Sequence, residues 1–124
     1  QAFPGADPPQ FDLLLLGMGP DGHTCSLFPG HALLQERRPL IAAIVDSPKP
    51  PRARVTMTLP LLNLARSLLI LASGASKSCT VQRILEGEEE EELLPAARVQ
   101  PRSGHLRWLL DQEAAKELRI PLEK

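Results

Sequence analysis

The chain has 124 residues, 43% hydrophobic, 23% charged and 3% aromatic, and its 14 basic and 15 acidic side chains leave a formal charge of −1. This is globular composition; it excludes collagen-like and wholly disordered chains and offers no basic excess for nucleic acid. No apolar run approaches the ~20 residues of a membrane helix, the opening residues lack a signal-peptide pattern, and Cys25 and Cys79 are too few for a disulfide framework and read as reduced thiols of a cytosolic protein. One domain is the most this length holds, with roughly two-thirds of the unfolded surface available for burial.

Residues 1–10 (QAFPGADPPQ) are rich in proline and read as a linker or loop. Residues 11–16 (FDLLLL) predict a short strand buried on both faces and stopped by Gly17. GMGPDGHTCSLFPG follows as a glycine-rich loop with barely one helical turn, ended by Pro29-Gly30. A second strand is expected at 40–45, a rigid turn at DSPKPP, a third strand or extended arm at 54–59, and a short helix opened by Pro60. SLLILA (67–72) is the strongest strand signal, and a helix over about 76–85 turns Val81, Ile84 and Leu85 inward. The glutamates at 88–92 predict a solvated loop or frayed helix end. HLRWLL (105–110) reads as a last strand, and Asp111 as the cap of a last helix, QEAAKELR. Strands alternating with helices, several of the strands wholly apolar, predict an α/β layer fold around a parallel sheet.

Gly17, Gly19 and Gly22 spell G-x-G-x-x-G after the first strand, and Asp46 ends the next one, roughly where a ribose-binding acid would stand. A dinucleotide site needs a long helix after the third glycine, however. Here only a few residues separate His23 from Pro29, and Pro20 removes a backbone N–H from the phosphate cradle. Asp21-Gly22-His23 is the more informative group. It places an imidazole, which titrates near neutrality, on a tight turn at the carboxyl end of a parallel strand, where open sheets bind ligands. A turn with a merely hydrogen-bonded histidine fits the same residues.

GMGPDGHTCSLFPG, then DSPKPP, RVTMTLPLLN and the closing LRWLLDQEAA resemble the 6-phosphogluconolactonase family. The related glucosamine-6-phosphate deaminases share the D-G-H core but carry N-E-P in place of Ser26-Leu27-Phe28-Pro29. The resemblance implies a Rossmann-like, open, mostly parallel sheet flanked by helices, with residues 11–124 as the C-terminal part of a single domain. It implies hydrolysis of 6-phospho-D-glucono-1,5-lactone to 6-phosphogluconate in the oxidative pentose phosphate pathway. His23 is then the general base on water, Asp21 its supporting acid, and the Gly19 and Gly22 backbone lies near the substrate. An activated ester needs no metal or cofactor. The expected partner is the phosphosugar lactone alone, with no nucleic acid and no membrane, in a cytoplasmic enzyme that is a monomer when full length.

A phosphorylated substrate needs cations. Arg54, after the proline-rich turn, suits a bidentate clamp. Lys77 stands in the first turn of a helix, where a lysine is locally unfavourable. The resemblance places phosphate-contacting residues at both positions; solvated surface cations are the plainer reading. His31 and His105 have no acid or cysteine at ligand spacing and read as surface or turn histidines, Asn63 as a backbone partner, and Trp108 as core or edge packing. The family's Gly-Gly-Ser-type phosphate loop and Asp-Glu-Arg-type segment do not occur, and the chain opens on Gln1. Its N-terminal half therefore reads as missing, which also allows a catalytically inactive fragment or an interaction module.

Overall fold

The computed structural model describes residues 8–87 and 93–122. Most of the expected linker and the whole glutamate run at 88–92 lie outside the described residues. Among the described residues, five strands form two sheets. β1 (Leu13–Gly17), β4 (Ser67–Ala72) and β5 (Leu106–Leu110) make a parallel sheet in the order β1-β4-β5. β2 (Ile41–Ile44) and β3 (Arg54–Met57) pair antiparallel as a separate ribbon. The ribbon follows from chain length, since the proline-rich turn between β2 and β3 is too short for a crossover and only reverses the chain.

The parallel sheet is covered on one face. Leu14, Leu16, Leu68, Ile70 and Ala72 are buried there, in one core with Leu27, Phe28, Leu33, Leu34, Leu62 and Val81. The opposite face carries Leu13 and Leu15, 56% and 59% exposed, and Leu109, 57% exposed. The expectation of burial on both faces of β1 is thus corrected. The leucines suit two covered faces, but among the described residues cover reaches only one.

Two helices are α-helical. α1 (Leu59–Leu62) is a single turn placed by buried Thr58, whose hydroxyl donates to the carbonyls of Pro39 (2.5 Å) and Leu40 (3.0 Å). α2 (Ser78–Glu86) follows a 3-10 turn over Ala75–Lys77 and buries Val81, with Ile84 and Leu85 packed at the margin as their spacing predicts. The expected last helix is a run of turns. Asp111 does accept the Ala114 N–H (2.8 Å), but only Ala114 is fully buried beyond it. With so short an apolar stripe, little offsets the cost of helix nucleation.

Candidate active site

β1 ends at Gly17, and residues 18–31 carry no helix. They are knotted instead by local bonds. The Gly22 N–H donates to the Gly19 carbonyl (3.0 Å), and the Gly19 N–H donates to the His23 carbonyl (2.9 Å). The Thr24 hydroxyl donates back to the Gly17 carbonyl (2.8 Å), and Leu27 bridges to Thr24 across a turn with Cys25 at φ 53°. The Ser26 N–H donates to the buried Thr56 hydroxyl (3.0 Å), which fastens the loop to β3. From the other side, the Thr80 hydroxyl of α2 donates to the Pro20 carbonyl and the Ala96 N–H to the Gly22 carbonyl.

The loop presents His23 and Asp21 to each other. Asp21 Oδ1 lies 2.6 Å from His23 Nδ1 and accepts the His23 backbone N–H at 3.1 Å. Partial burial pushes the Asp21 carboxyl up, but the bonds from His23 and the charges of His23 and Lys49 outweigh it and hold the group below its usual range. It is ionised at neutral pH. An ionised carboxylate only accepts, so in the neutral ring His23 Nδ1 carries the proton and Nε2 carries the lone pair. The imidazole edge holding Cε1 and Nδ1 rests against Gly19, where any Cβ would collide with both atoms. The ring packs on Phe28, centroids 4.8 Å apart.

Beside the expected approach of their backbone to a ligand, the two glycines play separate parts in the turn. Both N–H groups are spent within the turn. Gly19 makes room for the imidazole, while Gly22 holds φ +87° beneath Leu94. An alanine at position 22 would place its Cβ 2.9 Å from Leu94 Cδ1 in a left-handed conformation. Gly22→Ala is expected to cost about 1–3 kcal/mol in urea unfolding.

Arg54 opens β3, but its guanidinium is already engaged. Nε donates to the Pro51 carbonyl (2.9 Å) and Nη2 to those of Lys49 (3.1 Å) and Pro50 (3.0 Å). Its Cζ lies 5.4 Å from the centroid of the Phe28 ring. Lys77 follows β4 on a neighbouring strand end. It lines a shallow cavity of about 350 Å³ with Leu71, Ala72, Ser73, Leu109, Leu110 and Asp111. Gly17 and Leu71 are register partners, so the His23 loop and the turn bearing Lys77 leave neighbouring strands at one carboxyl edge.

Sequence reasoning missed Phe28, Lys49 and Thr80. Only Phe28 had a signal, as the lone aromatic of the histidine loop. His31 is a turn histidine as expected, capping the turn over Ala32–Gln35, and it also has an acid partner that spacing did not show. His31 Nδ1 accepts the Leu33 N–H (3.0 Å), so Nε2–H donates to Asp46 Oδ1 (2.8 Å). That bond holds the Asp46 carboxyl low and occupies the acid that a ribose would need. Asn63 bonds backbone as expected, donating to the Arg98 carbonyl (3.3 Å) and accepting the Gln100 N–H (2.8 Å). Burial raises the Cys25 thiol, with Thr24 opposing, so it is no nucleophile at neutral pH. Among the described residues, no three His, Cys, Asp or Glu side chains are grouped to hold a metal ion, and no helix is long and apolar enough to cross a membrane.

Asp111 is held low by the Ala114 and Gly74 N–H groups, with Lys77 helping. The charged form makes these bonds in the folded chain, so their contribution is present above the usual aspartate range and lost as pH falls through the lowered value. Thermal melts are expected to drop below about pH 4, and Asp111→Asn to lower the melting point at neutral pH while flattening that acid decline.

Fold and loop together define an open-sheet α/β protein with an acid-oriented imidazole at the carboxyl edge of its parallel strands. Residues 1–108 match the family described as glucosamine-6-phosphate isomerases/6-phosphogluconolactonase. 6-Phosphogluconolactonase of Rattus norvegicus is 60% identical over 124 residues, and that of Homo sapiens 59%; each comparison spans 100% of this chain and 48% of the relative. Among solved structures, 6-phosphogluconolactonase from Trypanosoma brucei matches at 32% identity and TM-score 0.73, covering 89% of this chain and 43% of that one. A monomeric glucosamine-6-phosphate deaminase matches at 26% identity and TM-score 0.64, covering 85% and 47%. The chain belongs to the glucosamine-6-phosphate isomerase/6-phosphogluconolactonase family. It spans about half the length of the curated relatives it matches.

Proposed function

We propose that this chain carries the base-bearing part of a 6-phosphogluconolactonase, which hydrolyses 6-phospho-D-glucono-1,5-lactone to 6-phosphogluconate in the pentose phosphate pathway. The observation that carries the reading is the 2.6 Å contact of His23 Nδ1 with Asp21, which places the neutral ring's proton on Nδ1 and makes Nε2 its basic nitrogen. Water at Nε2 loses a proton to the imidazole as its oxygen bonds to the lactone C1. The carbonyl π pair moves onto oxygen. Collapse of the tetrahedral intermediate breaks the C1–ring oxygen bond, and the imidazolium returns its proton to the departing alkoxide. Asp21 stabilises the imidazolium between these steps and keeps the ring in its working tautomer.

Lys77 at the same sheet edge, Lys49 beside Asp21 and the Arg54 guanidinium supply positive charge for the substrate's phosphate. The relatives' names and the Ser26-Leu27-Phe28-Pro29 string favour the lactonase over the deaminase chemistry of the same family. The reading includes a cytoplasmic enzyme, monomeric when full length, acting on a phosphosugar without cofactor or metal.

The test measures loss of 6-phosphogluconolactone by this chain, alone and supplied in trans with the part of its rat relative that it does not span. Turnover above the spontaneous rate in either arm, with no ammonia released from glucosamine 6-phosphate, supports the reading. Lactone that decays at the spontaneous rate in both arms overturns it.

A further inference from the structure

We propose that Phe28 and Arg54 are positioning residues for His23, the guanidinium lying over the phenyl ring and the phenyl ring packing on the imidazole, and that these contacts set which edge of the ring faces the substrate. The kinetic part of this inference rests on the lactonase reading; the structural part does not.

Arg54 is fixed by the carbonyls of Lys49, Pro50 and Pro51, at 3.1, 3.0 and 2.9 Å, so its planar fork is committed to the proline-rich turn. The guanidinium lies over the Phe28 ring at 5.4 Å, within the range of cation–π attraction. Phe28 is 1% exposed and packed in the core with Leu27 and Leu62, so its plane is held on several sides. His23 packs on Phe28, its ring centroid 4.8 Å away at a tilt of 33°, inside the usual range for ring pairs.

The imidazole is then bounded by three groups. Asp21 takes Nδ1, Gly19 abuts the Cε1–Nδ1 edge, and Phe28 stands against the ring. Rotation about the Cβ–Cγ bond, which would swap the Nδ1 and Nε2 edges, has to sweep the ring past Phe28. A leucine there fills similar space without a flat wall. A base held within a fraction of an ångström of its working geometry retains rate that a freely turning ring loses.

This role for Arg54 is separate from the charge it lends the substrate's phosphate, and the two are told apart by experiment. Side-chain 15N NMR of the full chain, above the histidine titration range, reads the tautomer of His23. The native chain is expected to show the Nδ1–H form alone. Phe28→Leu and Arg54→Gln are expected to introduce the Nε2–H form, and Arg54→Lys to fail to restore the native spectrum, because an ammonium lacks the planar fork. In the lactonase assay Phe28→Leu is expected to lower kcat roughly 10- to 100-fold with KM within about twofold. If Phe28→Leu does not fold, Arg54→Gln decides, since Arg54 is only half-buried.

A native tautomer in both variants overturns the proposal, as does an Arg54→Gln effect confined to KM. If the native chain and its trans complement show no lactonase activity, the spectra still judge these contacts, so the two failures are distinguishable.

Discussion

His23→Ala is expected to lower kcat about 1,000-fold with KM changed only a few-fold. Positioned general bases contribute roughly 10²- to 10⁴-fold, and the proposed reaction gives His23 that part. The substitution leaves the backbone hydrogen bonds of the loop intact, so the loss falls on the chemical step and not on folding. Asp21→Asn is the companion variant. Its amide can donate where the carboxylate only accepts, which favours the Nε2–H tautomer and removes the lone pair from the substrate side. Steady-state kinetics with matched thermal melts make the measurement. A His23→Ala variant within threefold of the native kcat would show that another group takes the proton.

Gly19→Ala is expected to lose about 100-fold in kcat while melting close to the native temperature. Gly19 has no left-handed φ, so alanine is allowed there by backbone conformation. The space is what is forbidden. A Cβ at this position meets Cε1 and Nδ1 of His23 and comes within 3.0 Å of Asp21 Oδ1. The His23 side chain is the movable partner, so it turns away and the dyad breaks. A misplacement of about 1 Å at a reacting group suffices for a loss of this size. Gly22→Ala is the opposite case, with stability lost through φ +87° and Leu94. Equal stability losses in the two variants would show that Gly19 serves the backbone and not the imidazole.

The elements most legible in the sequence were those set by local chemistry. SLLILA is a strand from Ser67 to Ala72 as read, because a continuous apolar run bounded by polar residues permits little else. The helix after it keeps Val81 inward, because its spacing fixes the face. The Asp21-Gly22-His23 turn was visible as a candidate site, but the facing of the two side chains was not. It depends on the turn closed by the Gly22 N–H on the Gly19 carbonyl. Pairings between distant segments were invisible. His31 meets Asp46 fifteen residues away, and Thr80 reaches Pro20 across sixty. Single-sequence spacing holds no record of either. The last helix was misread for a different reason, since its cap is real but too little apolar surface follows to hold a helix.

The uncovered row of Leu13, Leu15 and Leu109 has a consequence for how natural variation at these positions is interpreted. A leucine facing water tolerates threonine or lysine at almost no cost, whereas one pressed under another polypeptide layer loses several kcal/mol on the same exchange. Orthologues of this chain therefore carry a record of its surroundings. Free polar drift along that row marks a surface selected in water, and strict aliphatic identity marks one that spends its working life beneath a second layer.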